Sequence, residues 1–210
     1  NLPIGHLSND ELKKLRAAAD ALGIALEVGT RGIATSNIAR FLEIAAILGS
    51  PILRIVIDTK DHEPTMGEIN SLLAPFADQF RKLNIRLAIE NHDRLTCAQF
   101  NEIIDRLGDD WVGICLDTVN SLGAVEAPNT VVPALAPRAI NVHMKDFEIV
   151  RSNGQMGFTV QGTTLGQGRL DVQSVIAAVG GSKRDITSVI ELWTPRQSSY
   201  EETVSLEESW

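Results

Sequence analysis

Short apolar runs alternate with helical segments along the whole chain, and this alternation constrains the fold more than any other feature. The apolar runs are typical of strands buried on both faces. We predict six such strands, over residues 24–28, 52–58, 85–90, 112–117, 139–146 and 187–193. Buried strands that alternate with helices indicate a parallel sheet covered by helices.

The helical segments have recognisable ends. Ser8 stands three residues before Glu11, which is the spacing of a capping box, and each of the first two helical segments ends at a glycine. Pro75 interrupts the segment 65–84 and predicts a kink or a join there. Further helices are predicted over residues 96–108, 129–137 and 170–181, and a glycine-rich loop is predicted between the fifth strand and Arg169.

Two parallel architectures compete for this pattern. An open doubly wound sheet favours a glycine-rich turn directly between a strand and a helix, and no predicted strand leads into the glycine-rich segment 162–168. A TIM (β/α)₈ barrel fits better, although a whole barrel takes about 250 residues and this chain has 210. We predict a single barrel domain over residues 1–210 that holds about the last six β/α units, lacks the first two strands and ends inside the last helix.

Composition and charge argue against several function classes. The chain has no run of 18 apolar residues and no signal-peptide pattern at its start, so we expect no membrane association. Its net charge is −8 and it has no basic stripe, which argues against nucleic acid as a partner. The two cysteines, Cys97 and Cys115, form no C-x-x-C pair, and a cytoplasmic location is expected.

Four predicted strands end in groups that can bind a metal ion or transfer a proton: Glu90, Asp117, His143 and Glu191. In a barrel the carboxyl ends of the strands surround one mouth, where active sites form. Carboxylates about 4 Å apart repel by roughly 1 kcal/mol in water and about 4 kcal/mol at an effective dielectric near 20. Protonation or a divalent cation would relieve this repulsion. Three carboxylates and one imidazole favour Mn²⁺, Mg²⁺ or Co²⁺, and Zn²⁺ stays open.

The motifs around these positions resemble the sugar phosphate isomerase/epimerase family, which includes the ketose epimerases. They are LAIENH (87–92), ICLDTVN (114–120), VHMKD (142–146), LGQGRLD (165–171) and VIELW (189–193). The resemblance implies a xylose-isomerase-like TIM barrel in which Glu90, Asp117, His143 and Glu191 bind one divalent cation, most commonly Mn²⁺. It also implies that Glu90 and Glu191 act as acid and base next to a substrate carbonyl, through a metal-stabilised enediolate.

One position departs from related enzymes. The apurinic endonucleases of the same superfamily have a histidine three residues after the aspartate, where this chain has Asn120, and they use more histidines than the four present here. A nuclease is therefore not expected. Ketose epimerases often place a substrate-binding histidine at the same position, so the range of sugars is open.

Four further residues are candidates for substrate binding: His92, Asn120, Lys145 and Trp193. Side chains two apart on a strand share a face, so His92 is expected beside Glu90 and Lys145 beside His143. Trp193 could stack on the face of a sugar. The alternative for His92 is a structural hydrogen bond, for Lys145 a salt bridge with Asp146 or a site glutamate, and for Trp193 simple packing.

We therefore predict a metal-dependent isomerase or epimerase whose partner is a small polyhydroxy carbonyl substrate. The alternatives are a lyase on the same scaffold (a decarboxylase or dehydratase of an oxo-acid sugar), hydroxypyruvate isomerase, and a non-catalytic sugar-binding barrel. The sequence leaves open which sugar or oxo-acid binds, whether it is phosphorylated, which metal is used and whether the chain forms a homo-oligomer.

Overall fold

In the computed structural model, residues 3–152, 154, 156–181, 186–194 and 197–208 are described. The chain divides into two compact units. Unit 1 comprises Asn1–His92 and Cys97–Cys115, and unit 2 comprises Asp93–Thr96 and Leu116–Trp210. The expectation of a single barrel domain stays a prediction.

Unit 1 consists of alternating helices and parallel strands. Its elements are α1 (Asn9–Ala21), β1 (Val28–Arg31), α2 (Thr35–Leu48), β2 (Ile52–Val56), α3 (Met66–Leu73), α4 (Ala77–Leu83), β3 (Arg86–Glu90), α5 (Cys97–Leu107) and β4 (Val112–Asp117), whose last two residues belong to unit 2. β1 pairs with β2, β2 with β3 and β3 with β4, and every pair is parallel.

Local sequence signals set the helix ends of unit 1 as predicted. The Ser8 hydroxyl accepts a hydrogen bond from the Glu11 N–H, and the Glu11 carboxylate accepts one from the Ser8 N–H at 2.8 Å, which completes the capping box. Pro75 lies in a single 3₁₀ turn, Ala74–Phe76, that joins α3 to α4. The predicted join follows because proline has no N–H to continue the α-helical hydrogen bonding.

The prediction of a first strand over residues 24–28 is wrong, because β1 begins where that segment ends. After α1 the chain turns at Gly23, with φ +67°, and Ile24 is left exposed. The N–H of Val28 donates to the Ser50 hydroxyl at 3.1 Å, beside the start of β2. β1 itself is glycine and polar residues after its first position, so it carries no apolar pattern to reveal it.

In its described residues, unit 2 contains the carboxyl end of β4, three further α-helices and four further strands. They are α6 (Pro128–Leu135), β5 (Ala139–Met144), β6 (Asp146–Arg151), β7 (Phe158–Thr163), α7 (Val172–Gly180), β8 (Thr187–Ile190) and α8 (Tyr200–Glu208). β5 and β8 are parallel partners, whereas β6 and β7 form an antiparallel hairpin. All six residues of β4 and of β5 are buried, as expected for strands covered on both faces.

The hairpin β6–β7 corrects two predictions, the end of the fifth strand at 146 and the glycine-rich loop that follows it. Asp146 is buried and starts β6 instead of ending β5. Its carboxylate accepts hydrogen bonds from the N–H groups of Gly166, Gly168 and Leu170, each at 2.9 Å, and these bonds hold the loop after β7. Two β-branched runs around a glycine-containing turn were the overlooked signal.

Among the described residues, six parallel strands are present, the predicted number, as β1 to β5 and β8, and helices alternate with them. The last of them corrects the prediction of a buried strand over residues 187–193, because β8 ends at Ile190 and all four of its residues are exposed. None of the helices within the described ranges is both long enough and apolar enough to span a bilayer.

Candidate metal centre and active site

Three of the four predicted metal ligands lie together in unit 2. Asp117 ends β4, His143 is the next-to-last residue of β5, and Glu191 directly follows β8. Each offers one ligand atom, and these atoms all lie within 4.8 Å of one another. His143 Nδ1 is 3.0 Å from Glu191 Oε2. The structure thus brings these three strand ends to one place, while their role as ligands stays a prediction.

The Asp117 carboxylate is oriented by its own turn. Its Oδ1 accepts the backbone N–H groups of Val119 and Asn120, both at 2.9 Å, in the local side chain-to-backbone pattern common for aspartate. Asp117 is completely buried. Because Oδ1 is held by the backbone, Oδ2 is the oxygen that faces the neighbouring charged groups.

Strand pairing holds the other two groups in place. The N–H of Thr118, just after Asp117, donates to the carbonyl of His143 at 3.2 Å, and the N–H of Glu191 donates to the carbonyl of Met144 at 3.1 Å. In parallel pairing, neighbouring strands carry their side chains in register on the same face. The two backbone bonds therefore set Asp117 and Glu191 on either side of His143.

Lys145 brings an ammonium group into this cluster. Its Nζ lies 2.8 Å from Asp117 Oδ2, 3.2 Å from Glu191 Oε2 and 3.4 Å from Asn120 Oδ1. The Thr118 hydroxyl holds the lysine backbone on both sides, accepting the Lys145 N–H at 2.9 Å and donating to the Lys145 carbonyl at 2.7 Å. The alternative of a salt bridge with a site glutamate therefore holds for Glu191, and the second ion pair, with Asp117, was not predicted. Asp146, the other predicted partner, is engaged by backbone N–H groups.

The pKa of Glu191 is lowered to about 2. The main cause is the hydrogen bond from His143, and the positive charge of Lys145 adds to it, while partial burial opposes both. Glu191 is therefore ionised at neutral pH. An ionised carboxylate can bind a cation or accept a proton, but it cannot donate one.

Glu90, the fourth predicted ligand, lies in unit 1 at the end of β3, where it is almost fully buried. In the register of β3 and β4 it stands beside Cys115. Arg54 Nη1 lies 3.4 Å from Glu90 Oε2. That Glu90 binds the same cation as the three residues of unit 2 stays a prediction.

Arg54 was not identified by the sequence analysis. The signal was present, because Arg54 is the one charged residue inside the apolar run ILRIV of β2. In a strand buried on both faces, such a residue needs a partner or a function.

The four predicted substrate-binding residues do not all lie in one cluster. Asn120 and Lys145 belong to the cluster of unit 2. His92 lies in unit 1, with its Nε2 3.3 Å from Arg31 Nη2. Trp193 lies against β7, where its backbone carbonyl leaves no room for a side chain at Gly162. Their contacts with a substrate stay predictions.

The residues of unit 2 fit a divalent cation by their chemistry. Two carboxylates and one imidazole, buried to half-buried, form an oxygen-rich donor set of the kind that Mg²⁺ and Mn²⁺ prefer, and Zn²⁺ also accepts it. Asp117, His143 and Glu191 could therefore hold one divalent cation.

Comparison with known proteins identifies the family. The family model of the xylose isomerase-like TIM barrel matches residues 4–209. The chain is 38% identical over 204 residues to a 3-oxo-isoapionate decarboxylase of Pectobacterium atrosepticum, which covers 97% of this chain and 74% of that protein.

Two solved structures share the fold. A D-psicose 3-epimerase in the presence of D-fructose has a TM-score of 0.71 at 17% identity, covering 97% of this chain and 76% of its own. A xylose isomerase-like TIM barrel protein from Mycobacterium smegmatis in complex with magnesium has a TM-score of 0.68 at 15% identity, covering 99% of this chain and 79% of its own. The predicted fold class and the resemblance to the isomerase/epimerase scaffold are confirmed, and the chain belongs to the xylose isomerase-like TIM barrel family.

Proposed function

We propose that the protein is a divalent-metal-dependent decarboxylase of a small polyhydroxy 3-oxo acid. The observation that carries the proposal is the cluster of Asp117, His143, Glu191 and Lys145, which combines candidate ligands for a cation with an ammonium group. The 38% identical decarboxylase supports the choice of reaction. The sequence alone placed isomerisation or epimerisation first and this lyase reaction second, and we reverse that order in the proposal because of the decarboxylase relative.

The chemistry of a 3-oxo acid suits such a site. The bond between C2 and the carboxyl carbon breaks, carbon dioxide leaves, and the electron pair passes through C2 to the oxygen at C3. A proton then adds to C2, which gives the ketone. A bound divalent cation would act as a Lewis acid that stabilises negative charge on the C3 oxygen.

The chain's own residues have separate tasks in this proposal. Asp117, His143 and Glu191 hold the cation, with Glu90 as the fourth predicted ligand. Lys145 would donate a hydrogen bond to the oxygen that becomes negative. Its ammonium lies beside two of the candidate cation ligands, 2.8 Å from Asp117 Oδ2 and 3.2 Å from Glu191 Oε2. Asn120 positions that ammonium through its side-chain carbonyl.

Epimerisation or isomerisation is the second candidate, because the cluster holds a carboxylate that could accept the proton next to a carbonyl. Glu191 is ionised at neutral pH, as a general base must be, but its pKa of about 2 makes it a weak base. Loss of carbon dioxide needs no such base. The scaffold shared with D-psicose 3-epimerase is compatible with this alternative.

The cation and the partners are part of the proposal. Mn²⁺ is our first choice and Mg²⁺ the second. The oxygen-rich donor set suits both cations, and the complex of the M. smegmatis protein with magnesium supports Mg²⁺. The partner is a small-molecule substrate, handled in the cytoplasm, without nucleic acid or membrane.

The test combines metal analysis with two assays on the same preparation. Elemental analysis of natively purified protein, before and after addition of Mn²⁺, should show one divalent cation per chain. Release of carbon dioxide from 3-oxo-isoapionate would support decarboxylation. Deuterium exchange into D-psicose or D-fructose in D₂O, followed by proton NMR without carbon dioxide release, would favour the epimerase. No metal uptake and neither reaction would overturn the proposal.

A further inference from the structure

Arg54 is a charged side chain within a buried strand. The other four residues of β2 are apolar and buried, and the Arg54 side chain is 24% exposed. Removing a charge from water costs free energy unless hydrogen bonds or an opposite charge compensate it. An arginine at this position therefore needs a partner that can use its guanidinium.

The neighbouring strands leave room for this side chain. In the parallel register Arg54 stands beside Gly29 on β1 and Ala88 on β3, and Ala88 stands beside Gly113 on β4. Residues in register share a face of the sheet, so the arginine lies in a row of the smallest side chains. A Cβ at Gly29 would lie 2.8–2.9 Å from atoms of the guanidinium, which shows that the group extends directly over this glycine.

The contacts of the guanidinium leave donors for a ligand. Within the described part of the chain its charged partner is Glu90, at the single distance of 3.4 Å. A guanidinium has five N–H donors in a planar fork, and two of them match the two oxygens of a carboxylate. One long ion pair orients the group without occupying the fork.

A second arginine lies on the same face. Arg31 follows Gly29 by two residues on β1, so it lies nearer the carboxyl end of the strand. Its guanidinium contacts His92 Nε2 and the carbonyl of Asp58, both at 3.3 Å. Two guanidinium groups thus face the same way near the carboxyl ends of neighbouring strands, which is where barrels of this kind bind substrates.

We propose that Arg54, assisted by Arg31, binds a carboxylate of the substrate and selects sugar acids over neutral sugars. The inference rests on the proposed function for the class of substrate, a polyhydroxy compound. It adds a specificity-determining residue to that function. Arg54 provides the bidentate contact, Gly29 provides its space, and Glu90 orients it.

The test compares two four-carbon probes that differ in one group. D-threonate carries a carboxylate where D-threitol carries a hydroxymethyl group, and calorimetry with the Mn²⁺-loaded protein measures the affinity of both. We expect the protein to prefer D-threonate. Arg54→Met should lower the affinity for D-threonate about 10- to 100-fold and leave the affinity for D-threitol unchanged. Hydrogen bonds to a charged group contribute about 1.5–3 kcal/mol, which corresponds to this range. Arg54→Lys should have an intermediate affinity for D-threonate, because lysine keeps the positive charge and lacks the planar pair of N–H donors.

Gly29→Ala tests the position of the guanidinium without changing any charge. The added methyl group would displace the flexible end of Arg54, so the fold should persist while the preference for D-threonate decreases. The matched control is Arg81→Met on α4, where an exposed arginine pairs with Asp110. That variant should leave the affinity of both probes unchanged.

The outcomes separate this inference from the proposed function. An unchanged ratio of the two affinities in folded Arg54→Met and Gly29→Ala, checked by circular dichroism, would overturn the role of Arg54. So would a wild-type protein without preference for D-threonate. If Asp117→Asn abolishes the preference and Arg54→Met does not, the cation binds the acid instead. Failure of the proposed function would show separately, as absence of metal uptake and of carbon dioxide release.

Discussion

Two clusters of charged side chains, one in each unit, both pair carboxylates with a basic group, and they differ in the ligand that they suit. In unit 1 one carboxylate, Glu90, lies 3.4 Å from one arginine, Arg54. In unit 2 two carboxylates, Asp117 and Glu191, share the ammonium of Lys145 at 2.8 and 3.2 Å. In the first cluster the guanidinium of Arg54 has N–H donors beyond its one ion pair, so it suits an anion. The second has an excess of carboxylate, so it suits a cation.

The contrast indicates that the neighbours of a carboxylate at a strand end decide which ligand the cluster suits. The position at a strand end sets how far a carboxylate is buried and where it points. The charged side chains of neighbouring strands decide whether the cluster suits a cation or an anion. The variants that follow change one member of either cluster and are arranged from the largest expected effect to the smallest.

Lys145→Met should lower stability most. Without its ammonium, the two carboxylates of unit 2 face each other with no lysine between them, and breaking a buried ion pair costs roughly 3 kcal/mol. Urea unfolding in EDTA should show this loss, and added Mn²⁺ should recover part of it. The control is Lys13→Met, an exposed lysine on α1. Equal stability of both variants would show that the lysine does not balance the cluster.

Asp117→Asn should lower the affinity for Mn²⁺ by about 100-fold, because it removes a buried charge from the candidate ligand set. The asparagine keeps an oxygen for the N–H groups of Val119 and Asn120, so the local turn should persist. Calorimetric titration measures the affinity, and Asp110→Asn at an exposed ion pair is the control. An unchanged affinity would remove Asp117 from the ligands.

Glu90→Gln should lower the affinity for Mn²⁺ by about tenfold if it completes the predicted ligand set. The same titration distinguishes the two clusters, since a carboxylate that served Arg54 alone would leave the metal affinity as it is. The stability of the variant should also fall, because the buried carboxylate of Glu90 would no longer compensate the charge of Arg54.

The smallest effect concerns the pH dependence of stability. The pKa of Glu191 is about 2 in the folded chain, below its ordinary value of 4.5, so its contribution is complete above pH 4.5 and is lost as the pH falls towards 2. Solvent screening of this half-exposed carboxylate limits the contribution to about 1 kcal/mol. Urea unfolding of wild type and Glu191→Gln in EDTA should therefore converge at low pH. Parallel curves from pH 6 to pH 2 would contradict the prediction.

Much of the architecture could be predicted, because it is encoded over short distances in the chain. The apolar runs of β2 to β5 and β8, the capping box at Ser8 and the join at Pro75 each depend on a few consecutive residues. β1 and the hairpin β6–β7 were not predicted correctly. β1 carries glycine and polar residues after its first position, of which Gly29 leaves room for Arg54, and the hairpin lies in a segment whose glycines indicated a loop.

The candidate site, too, could be predicted only in part from the sequence. The sequence by itself determined that Glu90, Asp117, His143 and Glu191 each stand at or directly after the end of a strand, because the apolar runs before them indicate strands. Three of these strands, β3, β4 and β5, are buried as predicted, whereas β8 is exposed. Only the tertiary structure decided the partners of these groups. Lys145 reaches Asp117 and Glu191 while Asp146, next to it, turns to the loop, and Arg54 reaches Glu90. Such pairings depend on which strands are neighbours and in what register, and local sequence patterns do not contain that information.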